Sequence, residues 1–378
     1  MPVVLAVAGL MLLSGPAHAD TVIATVPVGA GPYGVAITPD GARAYVTDRF
    51  DNSVSVIDTA TNTVVATVPV DSGPIGVAVT PDGTRAYVAN GFSSTVSVID
   101  TATNTVVATV PVVGGAARVA VTPDGTRAYV TNDNGGTVSV IDTTTNTVVA
   151  TVPVGAGPSG IAITPDGTRA YVTNFGGGTV SVIDTTTNTV VTTVPVGANP
   201  SAVAITPDGT RAYVTKLDGT VSVIDTTTNT VVATVAVGAN PFGVAITPDG
   251  TRAYVTNSGD NTVSIVDTAT NTVIETVPVG PAPFGVAITP DGTRAYVTNT
   301  GDNTVSVIAI ENGNGSLGSL HPGSLGSLHP GSLGSLHHGS AAGSAGGSVA
   351  AGSLGSAGGG SAAGGSVAAG SVGGGTGS

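Results

Sequence analysis

The tripeptide Pro-Asp-Gly recurs seven times, with its Asp at Asp40, Asp82, Asp124, Asp166, Asp208, Asp249 and Asp291. The spacing is 42 residues, with a single step of 41. A fixed period of that length is the signature of a repeat architecture. Each period reads close to GVAITPDGTRAYVTN…TVSVIDTTTNTVVATVPVGA. It holds four short runs rich in Val, Ile, Thr and Tyr, separated by Gly, Pro, Asp and Asn. Four antiparallel strands per period make one propeller blade.

Call the strands a (GVAIT), b (RAYVT), c (TVSVID) and d (TVVATVPV). The chain does not start on strand a. Val22–Val28 is a lone d, and Thr304–Ile310 is a c with no d after it. Each strand type occurs seven times, so the orphan d fits the gap beside the orphan c. An open solenoid needs capping repeats. A closed ring needs one blade completed by both chain ends, and closure removes the sticky sheet edge. The expected fold is all-β: a seven-bladed β-propeller of four-stranded antiparallel blades, its last blade completed by residues 22–28.

Charged residues are only 9% of the chain, against about 25% in ordinary domains. Blades covered by neighbours on both faces do not require polar-out alternation. No 3.6-residue apolar period appears, so almost no helix is expected.

Three segments follow from composition. Residues 1–19 hold an apolar run, Val3–Leu13, then Ala17-His18-Ala19; this reads as an export signal, too short to span a membrane. Residues 20–311 are the propeller. Residues 312–378 carry GSLGSLHP repeats and Gly/Ser/Ala tracts, too poor in side chain to offset ordering entropy, and read as a disordered low-complexity tail. Secretion, the periplasm or the cell surface is the expected location.

The end of strand b carries a recurrent word: YVTN at Tyr129–Asn132, Tyr171–Asn174, Tyr254–Asn257 and Tyr296–Asn299. It departs as YVTD at Tyr45–Asp48, YVAN at Tyr87–Asn90 and YVTK at Tyr213–Lys216. With TPDG and VIDT-x-TNTV, residues 20–310 resemble the YVTN-repeat β-propellers, of the YncE-like and surface-layer type. That resemblance implies exported scaffolds or binding modules and brings no catalytic motif.

The repeated residues read as structural. TPDGT supplies Pro and Gly for a tight turn. DTxTNT supplies Asp and Asn for a second one. If b and c pair in register, Arg85 faces Asp100, Arg43 faces Asp58 and Arg211 faces Asp225, an expected ion pair at the foot of most blades. The last blade has Ala309 there, leaving Glu311 as a substitute.

The individual residues sit elsewhere. The d–a and b–c loops share one face and carry nearly all the variation. Tyr33, Phe50, Phe92, Phe175, Phe242 and Phe284 fall there, as do Arg49, Arg118 and Lys216, the cations outside the repeated arginines. Aromatics and arginines on loops are typical binding residues, and these nine are the candidate binding site. The expected partner is a protein or a cell-envelope glycan, met by a monomeric propeller.

The propeller segment has no His, Cys or Trp, which leaves no Ser-His-Asp or Cys chemistry and no His-ligated metal. No catalytic or metal-binding residues and no cofactor are assigned. A net charge of −13 disfavours nucleic acid, and the mature chain has no integral membrane segment. Two alternatives stand beside the binding scaffold. One is a propeller enzyme or cofactor-handling protein, lactonase-like or of redox-maturation type, working at the channel mouth. The other is a structural surface-layer component, which would self-assemble.

Overall fold

The computed structural model describes residues 19–311; residues 1–18 of the expected signal and the tail with its four His lie outside them. Its strands, numbered β1 to β28 in chain order, form seven four-stranded antiparallel sheets. The first blade is β2 (Pro32–Ile37), β3 (Arg43–Asp48), β4 (Ser53–Asp58) and β5 (Thr63–Pro69). Five more blades follow the same plan. The seventh holds β26 (Pro283–Ile288), β27 (Arg294–Asn299) and β28 (Thr304–Ala309), and its fourth place is taken by β1 (Thr21–Pro27). β1 runs antiparallel to β28, from Thr21 opposite Ala309 to Pro27 opposite Thr304. The ring is closed by the N-terminal strand, as the orphan strands require. Among the described residues there is no α-helix, only a 3-10 turn at Asp133–Gly135, and no helix is long and apolar enough to cross a membrane.

The two middle strands of each blade are buried on both faces. Tyr45, Val46, Val54, Val56 and Ile57 have no exposed surface, and their equivalents repeat around the ring. The outer strand differs from the expectation of two covered faces. Val65, Val107, Val149 and Ile274 are each about half exposed, because the outermost strand diverges from its neighbours at the rim.

The word YVTN is explained by its bonds. The Tyr129 hydroxyl donates to Asn188 Oδ1 in the c–d turn of the next blade (2.7 Å). Thr47 Oγ1 donates to the Ile75 carbonyl of the next inner strand (2.9 Å) and accepts from Gly34 N–H (2.8 Å). Asn132 Nδ2 donates to Thr137 and Ser139 hydroxyls on strand c. Tyr and Thr tie blade to blade, and Asn ties strand to strand. Burial pushes the hydroxyls of Tyr87, Tyr129, Tyr171 and Tyr213 up to about 12.

Both turns are built as their residues dictate. Gly41 takes φ +73°, and Asp40 accepts from the Thr38 hydroxyl and Ala42 N–H. In the other turn Asn62 takes φ +53°, which Asn tolerates better than most residues.

The foot of the blade departs from expectation. Backbone register places Arg43 opposite Asp58, Arg85 opposite Asp100 and Arg211 opposite Asp225. Yet only Arg85–Asp100 and Arg127–Asp142 close as ion pairs. The Asp carboxyls are committed elsewhere: Asp100 is held below the usual carboxylate range chiefly by the Thr103 backbone N–H, with Arg85 a smaller cause. In the last blade Glu311 does not replace the missing Asp; Arg294 donates to the Thr59 carbonyl instead.

The seam has its own device. Tyr254 points to where the last c–d turn would be, but no turn joins β28 to β1, which is the first strand of the chain. The Asp20 carboxylate fills the place, accepting from the Tyr254 hydroxyl and from Glu311 N–H (2.8 Å), with Arg252 at 3.5 Å.

Candidate binding site at the channel mouth

The inner strands run side by side around a central channel. Their third residue is Gly in five blades (Gly34, Gly76, Gly160, Gly243, Gly285) and Ala202 in a sixth. A Cβ at Gly243 would come within 2.3 Å of the Phe284 carbonyl oxygen, and one at Gly34 within 2.4 Å of that of Ile75. The strands are spaced by main chain touching main chain. The seventh inner strand, Ala116–Val121, carries Arg118 at that place.

Residues next to it supply aromatics. Tyr33, Phe242 and Phe284 come from three inner strands and meet at the mouth. Ring centroids are 4.3 Å apart for Phe242 and Phe284, 4.6 Å for Tyr33 and Phe284, and 5.7 Å for Tyr33 and Phe242, the last edge to face. Arg118 lies over Tyr33 at 5.1 Å and over Phe242 at 5.9 Å. These four stand at the second or, for Arg118, the third position of inner strands rather than in loops, which corrects their expected position.

Arg49 extends the cluster outward. Its guanidinium lies 5.5 Å from the Tyr33 ring, 5.9 Å from Phe50 and 5.0 Å from Phe92. Phe50 rests on Gly31 and Phe92 on Gly73, where a Cβ would lie 2.4 Å from each ring. Their outer faces remain open, at 64% and 61% exposure. Seven of the nine expected residues therefore form one continuous cluster. Two do not join it. Phe175 stands apart on its own b–c loop, and no aromatic pairs with it. Lys216 is buried, 7% exposed, and its amine is 3.4 Å from Asp218. Its aliphatic stem occupies the slot that Asn fills in other blades, so it does not offer a charge to the face.

The electrostatics are uneven. Neither Arg49 nor Arg118 forms an ion pair with a carboxylate, and the sequence has no Asp or Glu outside the described residues. Arg49 Nε is buried without a hydrogen-bond partner. Burial pulls the Arg118 pKa below the ordinary value, with Tyr33 opposing. Burial raises Tyr33.

One further ionisable residue, outside the nine expected binding residues, lies at this end of the blades. Asp48 stands where five other blades have Asn and is fully buried. Ser53 and Ser55 hydroxyls donate to one oxygen, and the other has no partner. Burial pushes its pKa up to about 6. The departure YVTD was the available signal. Two loop aspartates on this face serve the backbone: Asp51 accepts from Ala30 N–H and Asp260 from Ala239 N–H, each at 2.6 Å.

The family described as "Lactonase, 7-bladed beta-propeller" matches residues 58–189 and 184–323. The chain belongs to this seven-bladed propeller family. Among solved structures, "Kuenenia stuttgartiensis Hydrazine Synthase" is similar at 26% identity and a TM-score of 0.70, over 74% of this chain and 96% of that one. No curated protein matches. The residues lining the channel are Gly, Ala, Val and Ile apart from Arg118.

Proposed function

We propose that this protein is an exported, non-catalytic propeller of the YVTN-repeat kind that captures a partner at the cell envelope through its variable-loop face. The observation that supports this reading is Arg49 held between the open rings of Phe50 and Phe92 without a carboxylate of its own. Exposed aromatic faces around an uncommitted guanidinium suit a partner that brings an anionic group flanked by apolar surface. Protein segments and acidic envelope glycans both have that chemistry. The test uses the full chain, immobilised and presented with solubilised envelope. A species retained by the wild type should be lost with Phe50→Ala, Phe92→Ala and Arg49→Gln. Equal retention by all four would refute the reading.

The description of the matching family suggests a second reading, lactone hydrolysis in the channel. Hydrolysis needs a base to activate water, and the channel lining offers no carboxylate or imidazole. A panel of five- and six-membered lactones tests it: hydrolysis above the buffer rate, abolished by Arg118→Met, would favour the enzyme.

A further inference from the structure

We propose that the channel beneath the aromatic cluster is a binding site for a small monocarboxylate, with its carboxylate on Arg118 and its aliphatic part against the channel wall.

Three observations carry this. The first is position. Arg118 occupies the place that glycine or alanine holds in the six other blades, so the bore of the ring receives one long cationic side chain and no other. The second is satisfaction. Five guanidinium N–H donors are available, yet the Arg118 side chain makes no hydrogen bond and no ion pair in the described residues. Tyr33 and Phe242 lie against the cation, an arrangement that leaves the in-plane N–H edge uncommitted. A partly desolvated charge without a partner is costly. The third is space. A cavity of about 190 Å³ adjoins Arg118 and is lined by Val35, Val119, Ile161, Val203, Val244 and Val286. That is roughly six water volumes, enough for a short aliphatic acid.

The lining selects the class of anion. A planar guanidinium fork matches a carboxylate with two parallel hydrogen bonds. A phosphate dianion would need more donors than one arginine supplies, and no second cation lines the channel. An alkyl chain of a few carbons would gain from the Val and Ile side chains that stand between stretches of glycine and alanine main chain. This inference uses Arg118 and the channel, whereas the proposed partner site uses Arg49, Phe50 and Phe92, so either can fail alone.

The test is calorimetric titration of the full chain at pH 7 with acetate, butyrate and inorganic phosphate, and the same for Arg118→Met and Arg118→Gln. Saturable one-to-one binding of butyrate is expected, about tenfold tighter than acetate for two added methylenes, with phosphate weaker than both. Each variant should lose at least tenfold. The second variant covers a folding failure of the first, and circular dichroism reports folding for both. Absence of saturable carboxylate binding to the wild type overturns the proposal. So does equal binding by a folded variant, or a preference for phosphate.

Discussion

The Tyr254 hydroxyl donates to the Asp20 carboxylate across a separation of 234 residues. In the other six blades the equivalent tyrosine donates to an Asn in the next blade's c–d turn: Tyr45 to Asn104, Tyr87 to Asn146, Tyr129 to Asn188, Tyr171 to Asn229, Tyr213 to Asn271 and Tyr296 to Asn62. Asp20, just ahead of β1, thus takes the place of that turn's Asn in the one blade whose c and d strands are not joined by a turn.

Asp20→Ala should destabilise the ring by about 3 kcal/mol, because a buried hydroxyl, the Glu311 amide and Arg252 all lose their acceptor. Asp20→Asn should recover most of that, since it restores the acceptor used in the other blades. Urea denaturation of the three proteins gives the comparison. Equal stability of the Ala variant and the wild type would show that the seam needs no latch.

Asp48 makes stability depend on pH. Its folded pKa is about 6, above the ordinary value of about 3.9. Between those values the folded state holds a proton that the unfolded state releases, so stability falls as pH rises and the full cost stands above pH 6. Two pKa units correspond to about 2 to 3 kcal/mol. Asp48→Asn should therefore raise the denaturation midpoint at pH 7.5 and leave it nearly unchanged at pH 4. A gain of the same size at both pH values would contradict this assignment.

The aromatic residues should divide into two groups. Phe50→Ala and Phe92→Ala remove rings already more than half exposed, so melting temperature should hold within a few degrees while partner capture drops. Phe242→Ala and Phe284→Ala dismantle a stacked cluster and should cost about 2 kcal/mol or more. Melting curves for the four variants decide; early melting of the Phe50 and Phe92 variants would make them packing residues.

The repeated arginines should contribute little. Arg85→Ala breaks an ion pair whose members are 37% and 21% exposed, and exposed pairs are weak. Its denaturation midpoint should match that of Arg169→Ala, which breaks no ion pair, in both low and high salt. A large, salt-sensitive loss for Arg85 alone would restore the clamp.

Backbone register was legible because the period is strict: a palindromic count across Asn90 and Thr95 put Arg85 opposite Asp100, and the ladder does so. Closure was legible from the orphan strands. Side-chain commitment was not. The repeat did offer the Asp of DTxTNT for local backbone bonding, and Asp100 accepts from Thr103 N–H; what it did not show is that in most blades this bonding stands without an Arg partner. The binding face was half legible. Irregular residues did mark one end of the ring, but sequence position could not separate Arg118, whose strand aims it down the channel, from Lys216, whose stem fills a blade. The role of Asp20 was hidden because it depends on a turn that is missing.

The way the ring is closed also decides how it yields to force. β1 and β28 are antiparallel neighbours, and Asp20 and Glu311 lie at the same end of their ladder. Tension applied between those two residues would load the ladder's bonds one after another, as in opening a zipper, instead of all together in shear. The first contact to carry load would be the Asp20 carboxylate on Glu311 N–H. A propeller tethered through both of these residues would open at this seam first, with six covalently continuous blades still intact behind it.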